Sequence, residues 1–236
     1  MISAIVISFY DHDYIKECIA SITFVDEIII VGKIDEAVLS EIQETHPVRF
    51  IESISVEFDF LLERASSKAS HDWIVGLEAN QSVSDQLAEE ITEITLNADS
   101  KGNYKLKTRF NFMGKLMKFS GYRTSYTSFL FHKNSLGAKA ATKKLKTPIE
   151  ELYLDFDRYN ERLTKKAKLK AQYLYGYKKR PNFLHFSWNP LWMLKKIFFF
   201  QLGLLDGKEG FIFAYLNAFK EFKTYLFLWL MYRNIE

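Results

Sequence analysis

Residues 2–31 read ISAIVISFYDHDYIKECIASITFVDEIIIV, and this stretch decides the fold. Ile2 to Phe9 is a run of apolar and β-branched residues, the pattern of a buried strand. The turn Tyr10-Asp11-His12-Asp13 follows, then a short helix over Ile15 to Ile22. Glu27 to Val31 (EIIIV) is a second buried strand. Strands of this kind alternating with helices predict an α/β fold with a mostly parallel sheet and right-handed crossovers.

The same alternation continues outward. Asp35 opens an amphipathic helix to about Thr45, and Val48 to Ile51 is a short third strand. Phe58 to Ala69 is helical, with Leu61, Leu62, Ala65 and Ala69 at one-face spacing. Asp72 to Leu77 (DWIVGL) is a fourth strand, and the Ser84 hydroxyl is placed to cap the helix after it. In such a sheet the ligand crevice lies beyond the carboxyl ends of the strands. The residues to inspect are therefore Tyr10 to Asp13, Gly32 to Asp35 and Glu78 to Gln81.

After Ser100 the pattern changes. Tyr104 to Phe112 alternates, Gly114 and Gly121 punctuate hairpin strands, and Ser128 to His132 is another short strand. Lys139 to Lys146 reads as a basic loop, and a long helix is expected over Asp155 to Tyr175. The expected division is an α/β domain over 1–150 and a helical extension over 151–236.

Charge divides along the chain too. Residues 1–100 hold 5 Lys+Arg and 20 Asp+Glu; residues 101–236 hold 27 and 9. A basic second half suits an anionic partner, such as membrane phosphates or an acidic glycan; alternatively it faces the acidic first half. No nucleic-acid module accompanies it, so no nucleic-acid partner is expected. The single cysteine, Cys18, excludes an internal disulfide and any multi-cysteine metal site, and it reads as a buried thiol. No signal peptide is read at the start, which fits a reducing cytoplasm. His12, His71, His132 and His185 show no metal-ligand spacing.

From Trp188 the chain is aromatic and helical. Its charge-free runs, Ile197 to Leu205, Phe211 to Phe219 and Thr224 to Tyr232, are 9 residues each. A bilayer span needs roughly 20. Two helices meeting at LLDGKEG (residues 204–210) is the natural reading. Trp192, Phe198 to Phe200, Trp229 and Tyr232, with Lys195, Lys196, Lys220, Lys223 and Arg233, suit a membrane interface. Packing on the sheet domain, or homo-oligomerisation through this surface, is the competing use.

These pieces, in this order, resemble the family 2 glycosyltransferases, in particular the branch of lipopolysaccharide-core sugar transferases. ISAIVISF and VDEIIIV resemble the first two strands, SKASHDWIVGLEANQSVSDQLAEEI the segment with the acidic metal motif, RFNFMGKLMKFSGY the hairpin, and FFFQLGLLDGKEGFIFAYLNAFKEFKTY the tail. The resemblance implies a GT-A fold, a nucleotide-sugar donor, Mg²⁺ or Mn²⁺, and a glycan or lipid-linked acceptor. It implies a peripheral protein of cell-envelope glycan synthesis at the inner face of the cytoplasmic membrane.

The resemblance also locates departures. Tyr10-Asp11 stand where the family has Asn-Glu near the nucleotide, and Gly32-Lys33-Ile34 where it has a base-binding Asp. Leu61, Leu62 and Glu63 replace a polar cluster facing the diphosphate. Glu78-Ala79-Asn80 replaces Asp-x-Asp, leaving Glu78 and Asn80 as the metal candidates. The implied donor-binding residues are Tyr10, Asp11, Glu78 and Asn80, and Arg109 and Lys115 are expected to meet acceptor or phosphate. Ser125 and Phe129 stand in place of a family Asp and Arg. The catalytic-base candidates are Glu150 and Glu151, which follow Pro148 and equally suit a helix start. Two functional readings stay open: an active transferase, and a non-catalytic relative acting as a binding or scaffold partner at the membrane.

Overall fold

A computed structural model describes residues 1–9, 11–55, 57–97, 102–126, 128–135 and 142–235. They fall into two compact units. The first comprises Met1–Ser53, Glu57–Arg109 and Ser125–Leu152; the second comprises Ile54–Val56, Phe110–Thr124 and Tyr153–Glu236.

The first unit is built on β1 (Ile2–Phe9), α1 (His12–Ala20), β2 (Glu27–Lys33), α2 (Glu36–Thr45), β3 (Val48–Glu52), α3 (Phe58–Ser66) and β4 (Trp73–Glu78). After these come β5 (Gln81–Ser82), α4 (Asp85–Leu96), β6 (Asn103–Leu106), β7 (Thr108–Phe112), whose last residues belong to the second unit, β8 (Lys115–Leu116) in that unit, then β9 (Ser128–His132), β10 (Lys143–Lys144) and β11 (Ile149–Glu151). Among the described residues the main sheet runs β10-β6-β9-β4-β1-β2-β3. Strands β3, β2, β1 and β4 pair in parallel, and β9 is antiparallel to both β4 and β6. The expected mixed α/β class with a mostly parallel sheet holds.

The reason is burial. All eight residues of β1 are buried, as are Ile28 to Gly32 of β2, so these strands are covered on both faces. Ile15, Cys18, Ile19 and Ile22 of the α1 region join Val6, Ile30, Val75 and Leu77 in one apolar cluster. The close approach of α3 to β4 needs Gly76: a Cβ there would meet Leu62 Cδ1 at 2.5 Å. Gly32, at φ 121°, would put a Cβ 2.2 Å from the Ser8 carbonyl oxygen. That position closes β2 against β1 in a conformation that glycine alone adopts cheaply. Helix α4 begins as expected, with the Leu87 N–H donating to Ser84 Oγ at 3.3 Å.

Two local expectations change. Lys143–Lys144, assigned to a loop, forms β10 beside β6; the stretch 136–141 before it lies outside the described residues. Glu150 and Glu151 do not start a helix. They form β11, antiparallel to β5, because Ile149 is fully buried and anchors them as a strand.

The second unit packs α5 (Phe156–Gly176), α6 (Phe183–Lys195) and α7 (Gly207–Arg233) with a hairpin. Strand β8 pairs with Asn111 and Phe112 of β7 through the two-residue turn Met113-Gly114, both at positive φ. Phe110, Phe112 and Met117 of the hairpin bury with Tyr159, Leu163 and Phe213 of the helices. Asp155 caps α5, its Oδ1 accepting from the Arg158 N–H at 2.8 Å. Helix α6 runs antiparallel to α7: His185 stacks on Tyr225, Phe186 meets Phe222, and beyond the helix end Phe198 meets Phe211.

The LLDGKEG stretch is the joint of this unit. The Asp206 carboxylate is buried and accepts the N–H groups of Lys118 at 3.0 Å and Phe119 at 3.1 Å, and the Ser120 hydroxyl at 2.7 Å. Lys115 Nζ donates to the Asp206 carbonyl and pairs with Glu209 at 3.1 Å. A Cβ on Gly210 would sit 2.0 Å from the Gly203 carbonyl oxygen, so only glycine lets α7 start against that turn.

Candidate active site at the ends of β1 and β4

The parallel strands β1 and β4 carry their carboxyl ends to one edge of the sheet, where Asp11 and Glu78 emerge. The Asp11 side chain is buried, and its Oδ2 accepts the Phe9 N–H at 2.8 Å. Its backbone carbonyl accepts from Ile15 and so begins α1. One turn later Cys18 lies 3.8 Å from the Glu78 carbonyl oxygen. Burial, and then the charge of Asp11, push the Cys18 thiol up to about 12. The thiol is thus a buried packing group, as the sequence suggested. Ser8 Oγ, also fully buried at this strand end, has no hydrogen-bond partner among the described residues.

Beyond β4, Ala79 extends the ladder by donating to the Ile7 carbonyl at 2.8 Å. The Gln81 side chain then closes the turn. Its Oε1 accepts the Glu78 N–H at 2.8 Å and the Ser128 hydroxyl at 2.6 Å. Because β5 follows immediately, the return of β11 opposite it sets Glu151 across from Gln81 and Glu150 across from Ser82. Asn80, 2% exposed, donates its amide Nδ2 to Glu151 Oε1 at 3.1 Å, and its carbonyl accepts from the Leu152 N–H. Glu150 lies 3.4 Å from Arg109. Burial raises the Glu150 carboxyl above the usual carboxylate range, against the opposing pull of Arg109.

The fold therefore gathers Glu78, Asn80, Arg109, Glu150 and Glu151 around one turn, with Asp11 at the neighbouring strand end. Tyr10 lies outside the described residues. Lys115 belongs to the second unit and is engaged with Asp206 and Glu209. Leu61 is fully buried, while Leu62 and Glu63 line a cavity of about 400 Å³ with Asp59, Lys105 and Phe129. Ser125 contributes its carbonyl to Thr108, and the Phe129 ring lies 6.1 Å from Phe58. His132 packs edge-on against Trp73, and His185 completes the α6 cap with Asn182.

Glu78 and Asn80 are the residues that the family resemblance assigns to a divalent ion. Among the described residues no three His, Cys, Asp or Glu side chains converge as ligands. Asn80 presents an N–H donor to the Glu151 carboxylate, where a cation needs oxygen acceptors. The donor set does not fit Mg²⁺ or Mn²⁺ as arranged.

Sequence reading missed Gln81 as the brace of this turn. Its one sequence signal is a polar residue directly after Glu-Ala-Asn at a strand end.

No family model matches the chain. Among solved structures it is similar to the mannosyltransferase PcManGT from Pyrobaculum calidifontis, solved with GDP-Man and Mn²⁺. The identity is 12%, covering 96% of this chain and 86% of that one, at a TM-score of 0.48. It is similar to S. aureus TarS 1–349 at 12% identity, over 99% of this chain and 91% of that one, also at 0.48. A third is glucosyl-3-phosphoglycerate synthase from Mycobacterium tuberculosis, at 10% identity, 74% and 78% coverage, and 0.44. At such values the likeness transfers no residue role.

Proposed function

We propose that this chain is a glycosyltransferase-like protein that moves a sugar from a nucleotide-sugar donor to a glycan or lipid-linked acceptor. The proposed setting is cell-envelope or lipopolysaccharide synthesis at the inner face of the cytoplasmic membrane. The sequence resemblance and the parallel sheet support the class. The observation that carries the chemistry is the return of β11 beside β5, which sets two carboxylates against the turn after β4.

In this reading Glu150 is the general base. A carboxyl raised by burial holds a proton more readily than an exposed one, as proton abstraction near neutral pH requires. It takes the acceptor hydroxyl proton, the oxygen attacks the anomeric carbon, and the nucleoside diphosphate leaves with the bonding electrons. Arg109 orients Glu150, and Asp11 and Glu78 lie toward the nucleoside and the donor sugar. The test is thermal stabilisation by nucleotide sugars, with and without Mn²⁺. A donor at 100 times its dissociation constant adds about 2.7 kcal/mol.

A second reading, a non-catalytic scaffold at the membrane, is favoured by one specific contact. The Asn80 amide is taken up by Glu151, which occupies both groups with each other. No stabilisation by any donor decides for the scaffold.

A further inference from the structure

The helical unit leaves a large apolar face in solvent. Helix α6 exposes Leu184, Trp188, Leu191 and Trp192, spaced at three and four residues along one side. Trp188 is 57% exposed and Phe200, in the turn after α6, is 69% exposed. Helix α7 exposes Phe211, Tyr215 and Phe219, again four residues apart. Ring contacts join the pieces: Trp192 to Phe200 at 5.7 Å, Phe198 to Phe211 at 5.7 Å, and Phe211 stacked on Tyr215. A groove of about 360 Å³ runs along the face, lined by Pro190, Leu191 and Leu194 of α6 and Tyr215 and Phe219 of α7. A monomer in water rarely leaves this much contiguous apolar surface uncovered.

The charges around the face choose its occupant. Residues 177–235 contain nine Lys and Arg against three Asp and Glu. Each of the three acids is engaged within the unit: Asp206 is buried, Glu221 is buried against Lys170, and Glu209 pairs with Lys115. Lys195, Lys196 and Lys208 are exposed, and Lys195 Nζ sits 6.0 Å over the Trp188 ring. Outward charge here is therefore positive. A second copy of the chain, paired face to face, would bring like charges together. No helix among the described residues is long and apolar enough to cross a membrane.

We propose that the α6–α7 face docks on an anionic lipid bilayer. The exposed Trp, Phe and Leu side chains enter the boundary between headgroups and acyl chains, and Lys195, Lys196 and Lys208 meet lipid phosphates. This extends the membrane setting proposed above and rests on it, while naming a surface that the sugar-transfer chemistry does not use.

The test is co-sedimentation of the purified full chain with vesicles, in the absence of any nucleotide sugar. Binding is expected to vesicles of phosphatidylcholine with phosphatidylglycerol, to weaken with added salt, and to be much lower on phosphatidylcholine alone. The double variant Lys195→Gln/Lys196→Gln should bind about 30-fold more weakly. Trp192→Ser/Phe200→Ser should lose about tenfold or more. All four side chains are solvent-facing, and unchanged thermal melts confirm that the variants fold. Equal binding to both vesicle types, or variants that bind like the parent, overturns the proposal. So does a dimer in light scattering that the same variants dissociate. Docking without donor stabilisation sinks the transferase reading alone, and donor stabilisation without docking sinks the membrane proposal and leaves sugar transfer standing.

Discussion

Burial raises the Glu150 carboxyl, and Arg109 at 3.4 Å only partly offsets it. A raised folded pKa means that the stability contribution is complete below the unfolded value and is lost as pH climbs through the folded one. At neutral pH the ionised side chain therefore costs stability. Glu150→Gln is expected to melt no lower than the parent at neutral pH, while sugar transfer falls by about 10²–10⁴-fold. Paired melting and transfer assays check both; full activity in the variant would remove Glu150 from the base role. Asp11 and Glu78 were legible as strand-end residues because a buried apolar run announces its own end. Glu150 and Glu151 were ambiguous. Acids after Pro148 suit a helix start as well as a strand, and three residues carry no period. The deciding partner is Asn80, 71 positions earlier.

Among the elements, the hairpin and the start of α7 are held by one carboxylate. Asp206→Ala would leave the Lys118 and Phe119 N–H groups without their acceptor and should cost about 3 kcal/mol. Asp206→Asn keeps one oxygen and should lose roughly half as much. Urea midpoints of the two variants test this order, and equal midpoints would mean that the one oxygen kept by Asn contributes nothing without the charge. The strands β1, β2 and β4 and the long helix α5 were readable within a residue or two at most ends, since each carries a sustained pattern or a cap. The joint was readable as a turn but not as a clasp. Its partners lie 86 to 88 residues away, beyond any local spacing.

At the scale of the whole chain, the two units are interleaved along the sequence. Phe110 and Phe112 are completely buried, and they pack with Tyr159, Leu163 and Phe213, which the chain supplies much later. A product ending at Leu152 keeps the strands of the main sheet but strips those two phenylalanines of their cover. It is expected to aggregate, where the full chain stays in solution at the same concentration; a soluble fragment with the full far-ultraviolet signal of the sheet would show the hairpin to be self-sufficient. The Asp206 clasp also has a consequence for how this chain tolerates change. Two of its three donors are main-chain N–H groups, which every residue but proline supplies. Positions 118 and 119 are thus free, as far as the clasp is concerned, to drift in identity while 206 is not, and a saturation scan should find these two positions permissive beside an intolerant residue far downstream.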